Sequence, residues 1–266
     1  MIEKNKNDTE IEKLLSIMKN LRDPKKGCDW DKKQTFDTLL NYTIEETFEV
    51  VDAIKSKNTK NIIEELGDLL LQIVFYAQIA DEKSMFNFSD IAKSVKDKMI
   101  RRHPHVFNKK NINLSIEEIN ANWDKIKNIE KKVDPDEPIL IGNYRAFPNL
   151  LKSYKIQNKV SQMKFEFLNI DEIFDKLDEE INEIKSAIKE KNKYKIEEEL
   201  GDLLFTVANL GTFLKINPEI ALHQSNNKFI KRFNYISKEI NKYNESFDTI
   251  SREKLEILWQ KSKQEN

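Results

Sequence analysis

Glycine and proline are scarce in this chain. Five glycines and six prolines in 266 residues leave too few turns for a many-stranded sheet. Cys28 is the only cysteine, so no disulfide can form within the chain, and a reducing cytoplasm is the simplest home. No apolar run approaches the roughly 20 residues that a spanning helix needs, so no membrane partner is expected. The opening MIEKNKNDTE has no apolar core that would serve as a signal peptide. A net charge of -1 leaves no basic surplus, so nucleic acid is not an expected partner either. What the chain does have is 34% charged and 39% hydrophobic residues, enough for real cores in a length that suits two ordinary domains.

The hydrophobic residues follow helical spacing. Ile44, Phe48, Val51 and Ile54 recur at three- and four-residue intervals, as do Ile62, Leu66, Leu69, Ile73 and Ala77. Leu177, Ile181, Ile184 and Ile188 repeat the pattern, followed by Ile196, Leu200, Leu203 and Val207. No run alternates as a strand would, and the fold class expected is all-α. The chain also repeats itself. Glu45-Glu46-x-x-Glu49 returns as Glu179-Glu180-x-x-Glu183, and Glu65-x-x-Asp68 returns as Glu199-x-x-Asp202, each 134 residues later. Lys98-x-x-x-Arg102 parallels Lys228-x-x-x-Arg232, and Trp123 parallels Trp259. These parallels predict two tandem copies of a four- to five-helix module, residues 1–130 and 149–266. The charged, proline-containing stretch 131–148 is then the linker.

The acidic blocks carry the chemistry. On a helix Glu180 and Glu183 share a face about 5–6 Å apart, and so do Glu199 and Asp202. Should the two helices pair as an antiparallel hairpin, four carboxylates converge. Two unit charges about 4 Å apart at an effective dielectric near 20 repel by roughly 4 kcal/mol, so a cation is needed among them. Oxygen ligands without His or Cys favour a hard ion, Mg²⁺ or else Mn²⁺, and a carboxylate-held magnesium completes its shell with water and substrate phosphates. Glu46, Glu49, Glu65 and Asp68 form the same set in the first copy, as a second metal site. Two bland alternatives stand beside this reading: a solvated helix face, and a capping box between Thr43 and Glu46. Gly67 and Gly201 sit between the acids of each second block, where glycine costs about 1 kcal/mol against alanine. Their presence in both copies predicts that another backbone or a ligand passes close by.

The acidic blocks, together with RDPKKGCDWDKKQTF (22–36), RRHPHVF (101–107), KIQNKV (155–160) and NPEIALHQSNNKFIKRF (217–233), make the chain resemble the two-domain MazG type of all-α nucleoside triphosphate pyrophosphohydrolase. One departure is Asp29, where that family commonly has proline. The resemblance implies hydrolysis of nucleoside triphosphates of any base to monophosphate and pyrophosphate, with Mg²⁺, by a homodimer. It also implies that Glu180, Glu183, Glu199 and Asp202 ligate the metal, and that Lys176, Glu179, Glu180, Lys195, Glu198, Lys228, Arg232 and Trp259 lie along the nucleotide. Trp259 is placed either to stack on a base, whatever its identity, or to anchor the core. His103 and His105 flank a proline and have no counterpart in the second copy, which gives them a turn role.

The repeat further predicts which copy dominates. Lys176 aligns with Tyr42 and Lys195 with Asn61, so the first copy keeps the acids but lacks two cations that a triphosphate needs. The C-terminal copy is expected to be the main catalyst. Water attacks a phosphorus of the α–β bridge, with Glu180 and Glu183 in the catalytic cluster and Glu179, the acid of the motif not needed as a ligand, as general base. Two other readings fit the same acids. One is a pyrophosphohydrolase selective for a single nucleotide such as dUTP, and the other is a non-catalytic helical dimer that senses nucleotide or metal.

Overall fold

In a computed structural model the described residues are 9–108, 114–130, 140, 144–242 and 246–264, and every regular element among them is helical. Most of the expected linker lies outside the described residues. The chain divides into two compact units, Met1–Asp136 and Glu137–Asn266. The first runs α1 (Glu10–Leu21), the short α2 (Asp29–Lys33), α3 (Leu40–Ser56), α4 (Thr59–Glu82), α5 (Phe88–Arg102), the single-turn α6 (Pro104–Phe107) and α7 (Ile116–Glu130). The second has a 3₁₀ turn at Tyr144–Ala146, then α8 (Asn149–Ser161), α9 (Ile170–Lys189), α10 (Lys193–Phe213), α11 (Pro218–Lys242) and α12 (Arg252–Ser262).

The same device builds the central hairpin of each unit. Between α3 and α4 the chain turns at Lys57, in the left-handed region at φ 57°, and Asn58 caps α4 by accepting from Lys60 N and Asn61 N. Between α9 and α10 it turns at Lys191, φ 54°, and Asn192 caps α10 by accepting from Lys195 N. A lysine in the left-handed region carries strain that the following asparagine cap offsets. So short a connection forces the helices antiparallel and side by side. In the first unit α1 lies on α4 and α5 bridges α4 to α7, around a core of Met18, Leu39, Val74, Phe75 and Ile79. Arg22 pins the 22–34 loop to the end of α4. Its Nε and Nη2 donate to both carboxylate oxygens of Glu82 at 2.8 and 2.7 Å, and its Nη1 donates to the carbonyls of Asp31 and Gln34. In the second unit α8 and α11 support α10, with Ile236, Ile240 and Leu258 buried where α11 meets α12.

His103 and Pro104 form the junction of α5 and α6. His103 Nδ1 bonds Met99 O at 2.7 Å and its ring meets Trp123 edge-on, which fits a turn role. Ile44, Ile54, Leu66 and Ile73 in the first hairpin, and Ile181, Ile188, Leu200 and Leu204 in the second, are exposed despite their helical spacing. No helix among the described residues is long and apolar enough to cross a membrane.

Removing three carbons from a fully buried side chain leaves a cavity that a close-packed core cannot fill. Ile79→Ala is expected to lower the stability of the first unit by about 2–5 kcal/mol, and Ile240→Ala that of the second by a similar amount. Hydrogen exchange read peptide by peptide in the full chain should assign each loss to its own unit.

Candidate functional site

The hairpins bring the acidic blocks together. In the second unit, carboxylate oxygens of Glu180 from α9 and of Glu199 and Asp202 from α10 lie within 4.8 Å of one another. In the first unit, Glu46 and Glu49 from α3 and Glu65 from α4 do the same. Each cluster therefore fills three of the four expected corners, and a different corner stands outside. Glu183, exposed, stands outside the tight set in the second unit, and Asp68, half-buried, stands outside it in the first. Both still act through charge: burial comes first in raising the carboxyls of Glu199 and Glu46, and Glu183 and Asp68 respectively add most to it.

The donor set suits a hard cation. Glu180 is 3% exposed, and its Oε2 is buried without a hydrogen-bond partner. Glu46, its counterpart in the repeat, has the same orphaned Oε2. A buried carboxylate oxygen left unpaired costs free energy unless a cation or a proton satisfies it. Two such oxygens at matching positions, each among further carboxylates and with no His or Cys beside them, fit an oxygen-coordinated Mg²⁺ or Mn²⁺. The capping-box alternative for Glu46 does not hold. Helix α3 begins at Leu40, and Thr43 inside it donates to Leu39 O while its hydroxyl also bonds Tyr76 Oη.

The cations are distributed unequally. Lys176 Nζ reaches Glu180 at 2.8 Å and Glu179 at 3.0 Å, and these bonds hold its pKa well above the ordinary lysine value, Glu180 contributing most. Lys195 is bound to Glu190 at 2.9 Å across the α9–α10 turn, which raises its pKa, with smaller contributions from Glu199 and Glu198. Nothing in the spacing of the acidic blocks pointed to Glu190. In the first unit Tyr42 and Asn61 hold these positions. There the proton sits higher on the acids themselves: burial raises Glu46, and the charges of Asp68 and Glu49 add to it. Glu65 is raised by burial, then by Glu49 and Asp68.

Lys228 is exposed on α11, one turn before Arg232. The guanidinium of Arg232 lies over the ring of Trp259, 5.6 Å from its centre, and Arg232 Nε is buried without a hydrogen-bond partner. Trp259 also packs against the core of Ile236, Ile240 and Leu258 and lies 5.6 Å from Phe229. Glu198 is exposed on α10, and Glu179 is exposed beside the cluster. Of the backbone or ligand expected beside the glycines, the described residues supply no backbone. A Cβ built on Gly67 or Gly201 meets nothing within 4 Å, so among the described residues the space beside each is open.

The profile of the MazG nucleotide pyrophosphohydrolase domain matches residues 34–107 and again residues 169–237, so each match contains one acidic hairpin. A protein of Escherichia coli (strain K12) named nucleoside triphosphate pyrophosphohydrolase is 40% identical over 258 residues, covering 96% of this chain and 98% of the relative. The nucleoside triphosphate pyrophosphohydrolase/pyrophosphatase MazG of Thermotoga maritima is 40% identical over 254 residues, covering 95% of each. The crystal structure of a mazG-related protein from Thermotoga maritima is 30% identical, with a TM-score of 0.37, and covers 44% of this chain and 97% of that one.

Glu46, Glu65 and Glu199 all hold their protons above the ordinary value of 4.5. A carboxyl with a pKa raised by folding contributes stability below the unfolded value and loses it as pH climbs through the folded one. The metal-free chain is thus expected to weaken as pH rises from about 4.5, and Mg²⁺ to restore it above that window. Scanning calorimetry should show a Tm gain from Mg²⁺ that is small near pH 5 and grows toward about pH 7.5. In the metal-free chain Gly67→Ala and Gly201→Ala should each add about 0.5–1 kcal/mol, because the methyl enters open space and the helix gains propensity. A loss in urea unfolding would mean that the space is filled.

Proposed function

This chain belongs to the MazG nucleotide pyrophosphohydrolase family, and we propose that it hydrolyses nucleoside triphosphates of any base to monophosphate and pyrophosphate with Mg²⁺, chiefly in its second module. The observation that carries this reading is the orphaned Oε2 of Glu180 amid Glu199 and Asp202. Glu180, Glu199 and Asp202, joined by Glu183, hold the ion. When bound, Mg²⁺ offsets charge on phosphoryl oxygens and lowers the pKa of a coordinated water.

The chain's own residues do the rest. Lys176 presents a firmly held proton and charge to the phosphates, and Lys195, Lys228 and Arg232 extend that charge along the triphosphate. Glu179 is exposed and next to the cluster without being one of its three closest acids, so it is the group to accept a proton from the attacking water. Glu198 lines the approach from α10. Trp259 offers a π-face to a base, a contact that tolerates every base alike. Gly201 keeps the helix surface beside the acids open to substrate.

The first module keeps a metal-binding set in Glu46, Glu49, Glu65 and Asp68 but no cation at Tyr42 or Asn61, which supports a weaker site. The exposed apolar rows of α3, α4, α9 and α10 support a homodimer, because a second copy would cover them. The exposed free thiol of Cys28 suits a reducing cytoplasm, where such an enzyme would clear unwanted triphosphates from the nucleotide pool.

Pyrophosphate release from the eight ordinary ribo- and deoxyribonucleoside triphosphates tests the proposal. Glu180→Gln should lower kcat by about 100-fold or more, Glu46→Gln by no more than about threefold, and chelation should abolish turnover. Release from one nucleotide alone would replace broad with selective hydrolysis. Nucleotide binding without pyrophosphate release would leave a sensor instead of an enzyme.

A further inference from the structure

Both modules stack an arginine on a tryptophan, yet the two arginines differ in what they bind. In the second module Arg232 lies over Trp259, and its Nε is buried with no hydrogen-bond partner among the described residues. In the first module Arg102 lies 5.1 Å from the centre of the Trp123 ring. Its Nε and Nη2 donate to Glu130 Oε2 at 3.0 and 2.6 Å, and Arg101 Nε donates to Glu130 Oε1 at 2.9 Å. One carboxylate thus engages two guanidiniums with both of its oxygens. Arg102 and Glu130 are only 15% and 22% exposed, so solvent and salt screen the pair poorly. The contact with Arg102, and secondarily with Arg101, holds the Glu130 carboxyl below its ordinary range.

A guanidinium accepts a carboxylate and a phosphate through the same forked geometry. The first module therefore displays an oxyanion seated on its arginine and tryptophan, and that oxyanion is its own. We propose that Glu130 is a built-in occupant of the first module's phosphate seat, and that it makes this module discriminate against the phosphate chain of a nucleotide. The inference rests on the reading above, in which Arg232 meets substrate phosphate. Of the four cations that the second copy aligns with a phosphate chain, the first replaces two by Tyr42 and Asn61 and neutralises a third, Arg102. Lys98 is the fourth.

Glu130→Gln keeps the size of the side chain and removes its charge, leaving two arginines in need of an anion. The test is calorimetric titration of the full-length chain with the α,β-methylene analogue of ATP and Mg²⁺. It is run on wild type, Glu180→Gln, and Glu180→Gln combined with Glu130→Gln. The expected result is strong binding in wild type, its loss in Glu180→Gln, and in the double variant a site about tenfold tighter than the residual one, with a steeper salt dependence. Unchanged or weaker binding by a double variant with native circular dichroism would overturn the inference and reduce Glu130 to a tie between α5 and α7. The reading of the second module would then stand. No binding by any variant, wild type included, would overturn both. Should Glu130→Gln not fold, Glu130→Asp decides: its shorter reach loosens the pair, and it should give a smaller gain in affinity where a purely structural tie gives none.

Discussion

Repulsion among carboxylates held on neighbouring helices is the constraint around which each module is arranged. Two unit charges about 4 Å apart at an effective dielectric near 20 repel by roughly 4 kcal/mol, and each hairpin gathers three within 4.8 Å. The packing of α3 against α4 and of α9 against α10 holds the helices together against that repulsion. The left-handed lysine and asparagine cap at each turn leave them no slack. What remains is a strained anionic seat. In the second module Lys176 partly relieves it, while carboxyls of both modules, Glu46, Glu65 and Glu199, are raised by burial and by their neighbours' charge.

The duplication makes the chain its own control. The hairpin turn chemistry and the sequence positions of the acids are shared, so the differences between the two hairpins come down to neighbouring side chains. Tyr42 in place of Lys176 and Asn61 in place of Lys195 remove charge near the acids. Glu130 offsets it where α5 meets α7 by pairing with Arg101 and Arg102. The net effect is two acidic hairpins with different surroundings, one carrying Lys176 and Lys195 beside its acids and the other Tyr42 and Asn61. Fold similarity between the copies therefore says little about how each treats a polyanion.

Much of this was legible in the residues. Helical spacing and the scarcity of glycine and proline pointed to an all-α chain, and the 134-residue recurrence of the acids exposed the two modules. The Lys-Asn pair at both turns gained its meaning only from the structure, where the lysine is left-handed and the asparagine caps the next helix. Less legible was the partnership of Lys195 with Glu190 and of Arg102 with Glu130. Opposite charges are so frequent in this chain that spacing cannot tell which of them meet. The glycines implied a neighbouring backbone or a ligand, and of these the described residues supply no backbone.

The sequence by itself determined the periodicity, the repeat, the hard-oxygen character of the acid set and the absence of cations at Tyr42 and Asn61. These are properties of composition and order along the chain. Only the tertiary structure decided which three acids of each four approach most closely, that Glu46 and Glu180 each keep an unpaired buried oxygen, and that Arg232 and Arg102 differ in their partners. Those outcomes depend on the phase of one helix against another and on side-chain reach across tens of residues. Neither is encoded in local spacing.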